Sequence, residues 1–153
     1  MTGRWWQYVI NRDQGSVVSL FNILSSAEGE IRLEGMAWST EGRQVARWRF
    51  RAAQLDRNTA VLFYYREGEH PKEAEPGEYH GVGEIHFNEL RPTLNQAQGF
   101  YTTVANNQPG TLRRSCEYRR AQPDDLKTME TGTLEQRQKL IQLRLDESGN
   151  IDI

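Results

Sequence analysis

Residues 45–53 read VARWRFRAA, and the alternation in that string decides the fold class. Trp48, Phe50 and Ala52 fall on one side of an extended chain and Arg47, Arg49 and Arg51 on the other. That is the period of a strand with one buried and one wet face. Upstream, residues 30–39 set Ile31 and Leu33 against Arg32 and Glu34, and Glu41-Gly42 supplies a tight turn into the arginine strand. Downstream, Asp56-Arg57-Asn58 turns the chain into a further predicted strand over 59–66. The remaining strands are predicted over 3–10, 16–25, 79–90, 99–104 and 112–120, each bounded by turn residues. Segment 67–77, with Gly68, Pro71, Pro76 and four glutamates, reads as an exposed loop. Gly81 and Gly83 sit inside a strand pattern, where glycine marks a bend or the close approach of another group. Eight strands in chain order predict an all-β fold, an eight-stranded antiparallel up-and-down barrel wide enough inside for a small ligand.

A length of 153 residues fits one domain. The barrel is assigned to 1–122 and a C-terminal extension to 123–153. Within the extension, Thr133 and Gln136 have capping-box spacing. Leu134, Leu140, Ile141 and Leu145 make the apolar stripe of one predicted helix, ending near Gly149 and packed on the barrel wall. Only 37% of the residues are hydrophobic while 10% are aromatic; strands with one wet face explain both values, whereas a sheet covered on both faces needs more apolar residues.

The net charge of −2 gives no global attraction to long nucleic acid or to an anionic membrane. The cations are 16 Arg and 3 Lys, and arginine's planar fork suits phosphates and carboxylates. Cys116 is the only cysteine, so no internal disulfide forms; a reducing, cytoplasmic setting is expected. No apolar run reaches eighteen residues and no signal-peptide pattern is present. The strand pattern starts directly at Gly3, as in a domain that begins there or one preceded by a further segment.

The opening Gly3-Arg4-Trp5, taken with Arg119 and Arg120 at the end of the eighth strand, resembles the signature of the lipocalin and fatty-acid-binding superfamily. The resemblance implies that Trp5 packs at the closed end of the barrel with Arg119 or Arg120 stacked across it. Gly3, Trp5, Arg119 and Arg120 are then structural. Several longer strings extend the likeness: Gly3-Arg4-Trp5-Trp6-Gln7-Tyr8, Leu33-Glu34-Gly35, Arg47-Trp48-Arg49, Leu62-Phe63-Tyr64-Tyr65, Gly81-Val82-Gly83-Glu84-Ile85 and Gln98-Gly99-Phe100. Read together over 3–120, they are similar to the barrel of the SMODS-associated two-transmembrane, β-strand-rich effectors of bacterial CBASS anti-phage systems. That likeness implies a barrel that senses a cyclic oligonucleotide, a cyclic dinucleotide among the candidates, and oligomerisation on ligand binding. The two membrane helices of those effectors have no counterpart here, so any tether to the inner membrane belongs to a segment outside this chain.

Binding residues follow from the same faces. Arg47, Arg49 and Arg51 either solvate the outer wall or face phosphates in the lumen, the second requiring a cover over Trp48 and Phe50. Tyr64, Tyr65, Tyr79, Tyr101 and Tyr118 either fill the core or offer stacking platforms to nucleobases. Arg114, Cys116 and Tyr118 share one face of the last strand, so Arg114 and Tyr118 form the leading stacking-and-phosphate pair. Arg49 and Tyr64 are the contributions expected from neighbouring strands.

His80 and His86 flank Glu84, but six strand residues separate the imidazoles by about 20 Å, too far for one ion, and no metal or cofactor is expected. No carboxylate pair stands out for acid–base chemistry, and Cys116 has no activating neighbour in the pattern, so the chain reads as a binding protein rather than an enzyme. Lumen composition separates the readings: arginine-lined walls favour a cyclic oligonucleotide, apolar walls a carrier of a fatty acid or other apolar anion, and a filled interior a protein-interaction barrel.

Overall fold

A computed structural model of the chain describes residues 2–9, 17–56, 60–68, 79–87, 96–105 and 111–149. The strands are β1 (Gly3–Val9), β2 (Val17–Ser25), β3 (Ile31–Ser39), β4 (Gln44–Asp56), β5 (Ala60–Gly68), β6 (Tyr79–Phe87), β7 (Gln96–Ala105) and β8 (Thr111–Arg120). Each pairs antiparallel with the next. β1 also pairs with β8, from Trp5↔Arg120 to Val9↔Cys116, and this closes the barrel and leaves no open edge. The Glu41-Gly42 turn forms as expected: the Gly42 N–H donates to Ser39 O and the Ser39 N–H to Arg43 O, both at 2.9 Å.

Three strand readings need correction. The clean alternation of residues 45–53 breaks at a register shift between Phe50 and Ala52, and Phe50 and Ala53 both pack on the inner core. β5 runs on through Glu67 to Gly68, because Glu67 pairs with both Trp48 and Tyr79. Residues 69–77 of the expected loop lie outside the described residues. β7 starts at Gln96, three residues before Gly99.

The barrel separates two cores. Inside lie Trp5, Phe21, Ile23, Leu33, Val61, Phe63, Ile85 and Tyr118, all buried. Gly83 is where the close approach expected of an in-strand glycine occurs. The Phe63 ring lies across it, and a β-carbon there would also come within 2.6 Å of Phe100 O. Outside, Trp6, Tyr8, Val18, Leu20 and Trp38 are buried against the C-terminal segment. β1 is therefore covered on both faces, and every residue from Trp5 to Val9 is buried.

That segment contains two helices, not one: α1 (Pro123–Thr131) and α2 (Leu134–Gly149). Pro123 at the start of α1, with Asp124 and Asp125 in its first turn, is a helix-entry signal. The predicted box at α2 is present, since the Thr133 N–H donates to Gln136 Oε1 (2.8 Å) and the Gln136 N–H to Thr133 Oγ1 (3.2 Å). Ile141 is buried, with Leu140 and Leu145 packed beside it, but Leu134 is exposed and leaves the stripe.

Asp125 fastens this arrangement. Its Oδ2 accepts from Trp6 Nε1 at 2.6 Å and from the Gln122 N–H at 2.9 Å, and its Oδ1 accepts from Arg144 Nη2 at 2.9 Å. One buried carboxylate thereby ties β1, α1 and α2 together. No helix among the described residues is long and apolar enough to cross a membrane.

Candidate functional site

Strand alternation sends the four arginines of β8 to different places. Arg120 turns inward and its guanidinium stands 4.3 Å from the centre of the Trp5 ring. It also donates to the carbonyl of Thr2. Gly3 has a φ of +114°, and a β-carbon there would come within 2.6 Å of Arg120 Nη1. The glycine thus serves both the left-handed backbone and the passage of the arginine. Trp5 is fully buried and meets Phe87 edge-on, ring centres 5.2 Å apart. Gly3, Trp5 and Arg120 therefore plug one end of the barrel. Arg119 does not share this role: it pairs with Trp6 in the ladder and belongs to the outer face. Arg113 also faces outward, 4.0 Å from the centre of the Phe100 ring.

Arg114 shares inward parity with Cys116 and Tyr118, but the three sit at different depths. Tyr118 is completely buried. Its hydroxyl accepts from Gln7 Nε2 at 3.0 Å and its ring meets Phe21 edge-on at 5.6 Å. Burial holds its phenol well above the usual range, so it stays protonated. Cys116 lies one step further along β8; its thiol donates to Arg114 O at 3.9 Å, and burial pushes its pKa up to about 12. Arg114 itself is half-buried, and its direct cross-strand partner is Tyr101, also half-buried and packed on the inner core. Directly opposed residues have β-carbons roughly 5 Å apart, whereas four strand residues separate Arg114 from Tyr118 by about 13 Å. Arg114 is thus joined by Tyr101 rather than by Tyr118, which forms part of the floor. The missed partner was visible only as one tyrosine among several, because pairing across β7 and β8 depends on register.

The neighbouring-strand contributions do not assemble there. Tyr64 shares the outward parity of Leu62 and is 40% exposed on the outer wall. The backbone of Arg49 pairs with Glu34 and Arg66, while its side chain, like that of Arg51, lies outside the described residues. Arg47 is exposed on the outer wall, 3.8 Å from Met36 Sδ. His86 pairs with Glu84 at 2.5 Å, also on the outer wall, and the side chain of His80 is outside the described residues. Among the described residues, no three histidine, cysteine or carboxylate side chains cluster as a metal site.

Compared with protein-family models, curated proteins and solved structures, the chain matches none. The residues of the barrel are thus the whole basis for a functional reading.

Proposed function

We propose that the barrel is a sensing domain that binds a cyclic oligonucleotide at the end of its lumen remote from the Trp5–Arg120 plug. The observation that carries this reading is the Arg114–Tyr101 pair, a cation and an aromatic face opposed across two strands above a packed floor. A cyclic dinucleotide presents phosphates and bases together. Arginine meets the first through charge-assisted hydrogen bonds, and tyrosine stacks on the second. The likeness of the strings over 3–120 to the CBASS effector barrels supplies the candidate ligand. In that role the domain triggers an anti-phage response by self-association when loaded, and performs no catalysis itself.

A second reading has its own support. Phe21, Ile23, Leu33, Val61, Phe63 and Ile85 give the interior near the plug an apolar lining, the wall expected of a carrier of a fatty acid or other apolar anion. Calorimetric titration with a panel of cyclic di- and trinucleotides, and with a fatty acid, separates the two. On the sensing reading a cyclic nucleotide binds, Arg114→Ala weakens it by about 1.5–3 kcal/mol, and Tyr101→Ala by about 1–3 kcal/mol. A folded protein that binds no member of the nucleotide panel overturns the sensing reading.

A further inference from the structure

The outer wall beside β8 carries a set of buried hydrogen-bond donors that the lumen site leaves unused. Arg119 lines, with Tyr8, Arg144 and Glu147, a half-open cleft of about 230 Å³ formed where β1 and β8 meet α2. Nε and Nη2 of Arg119, Nε of Arg144 and the Tyr8 hydroxyl are all shielded from solvent, and none has a hydrogen-bond partner among the described residues. Tyr8 is 2% exposed. Buried polar groups without partners are rare in native proteins, and a cluster of them around a cleft marks a place for an acceptor from outside the chain.

The two arginines differ in what holds them. Arg144 is fixed by carboxylates: Nη1 donates to both oxygens of Glu147 (3.0 and 2.9 Å) and Nη2 to Asp125 (2.9 Å), which leaves Nε over. Among the described residues Arg119 has no carboxylate partner, and its Nε and Nη2 form one edge of the planar fork, with parallel N–H bonds. Arg120 also borders the cleft, but its guanidinium is turned inward over Trp5, so the cations there are Arg119 and Arg144, with Glu147 as the lining carboxylate and Asp125 behind Arg144. Glu117 lies opposite Tyr8 in the ladder and its Oε2 is likewise buried without a partner among the described residues, but it does not line the cleft. Burial holds the Tyr8 phenol above its usual range, so its hydroxyl remains a donor at neutral pH.

We propose that this cleft is a second ligand site, distinct from the lumen, that takes a phosphoryl group: the Arg119 fork grips two oxygens, and Arg144 Nε and the Tyr8 hydroxyl meet the others. A phosphoryl group spreads the four donors over three or more oxygens and carries more charge than a carboxylate, whose two oxygens would each have to accept two of them. The cleft is shared between the barrel wall and α2, so an occupant also clamps the helix to the barrel.

The test uses the full chain in phosphate-free buffer, titrated separately with inorganic phosphate, methyl phosphate and acetate. Binding is read from the Trp6 indole N–H resonance, which lines the cleft, and from the melting temperature. At least one phosphate probe should shift that resonance saturably, with a dissociation constant on the order of 1 mM or tighter, and raise the melting temperature. Binding of both probes, or of methyl phosphate alone, identifies a phosphate ester as the class of occupant; inorganic phosphate alone identifies the free ion. Arg119→Gln should weaken the binding by about ten-fold or more, Tyr8→Phe by about three-fold or more, and Arg114→Ala not at all. Absence of a saturable shift with either phosphate probe overturns the proposal. So does acetate binding as tightly as phosphate, or a folded Arg119→Gln that binds like the parent. If Arg119→Gln does not fold, Tyr8→Phe decides on the same terms. The Arg114→Ala arm keeps this outcome separate from that of the lumen site.

Discussion

Replacing Asp125 by alanine tests whether the helices are held to the barrel through one carboxylate. The substitution removes the acceptor for Trp6 Nε1, the Gln122 N–H and Arg144 Nη2 at once. Leaving the buried Trp6 N–H unsatisfied costs about 1–3 kcal/mol. Breaking a buried ion pair by removing one partner costs about 3–5 kcal/mol. The pair is at the buried end of that scale, with side-chain exposures of 14% for Arg144 and 4% for Asp125. Arg144 keeps Glu147, however, and the two costs overlap because both describe the same carboxylate. The expected loss is therefore about 3–4 kcal/mol. Asp125→Asn, which keeps one acceptor oxygen, should lose roughly half of that. Urea unfolding followed by tryptophan fluorescence and far-UV circular dichroism gives the difference, with the slope unchanged if both ends of the transition remain the same. Asp124→Ala, one residue away and exposed, is the control and should change stability by no more than about 1 kcal/mol. A loss for Asp125→Ala under about 1 kcal/mol, or equal to the control, would refute the argument that this carboxylate fastens β1, α1 and α2.

Three further outcomes follow from the interior. Trp5→Ala should cost about 3–5 kcal/mol in the same urea assay, and Arg120→Ala about 1–2 kcal/mol; a loss under about 1 kcal/mol for Trp5→Ala would mean that the plug does not hold the barrel end. Gly83→Ala should destabilise by about 1–3 kcal/mol. Phe63→Leu in the same chain should relieve only part of this, since the Phe100 carbonyl is backbone and stays in place. Full rescue would contradict the geometry. Cys116 should resist thiol reagents in the native protein and react at the rate of opening. Its burial also sets a pH dependence. An unfolded thiol ionises near about pH 8.5, while the native one is held up to about 12. Between those values the unfolded chain sheds a proton that the native chain keeps, so stability falls as pH rises. Tyr118, also raised, acts in the same direction at higher pH. A urea midpoint that climbs from pH 8 to pH 10 would contradict this sign.

Much of the barrel was legible in the chain because a strand's period of two is a property of local backbone stereochemistry. Ile31 and Leu33 against Arg32 and Glu34, or the turn at Glu41-Gly42, need no distant partner to be read. The capping box of Thr133 and Gln136 is likewise local. α1 was legible in principle from Pro123-Asp124-Asp125, but nine residues hold too few turns for an apolar period to stand out. The bulge after Phe50 was not legible, since it exists only relative to the register of β5. The same limit governs the site. Sequence alone placed an arginine over Trp5 but left Arg119 and Arg120 equivalent. Pairing between β1 and β8, across more than a hundred residues, is what sends Arg120 to the plug and Arg119 to the outer cleft. Tyr118 looked available on the face it shares with Arg114. The tertiary structure seals it under Gln7 and Phe21 and brings Tyr101 to Arg114 instead. Local periodicity thus determined which residues form strands and which positions share a face. Closure of the sheet decided which faces meet, because register and depth are properties of two strands together and are written in neither one.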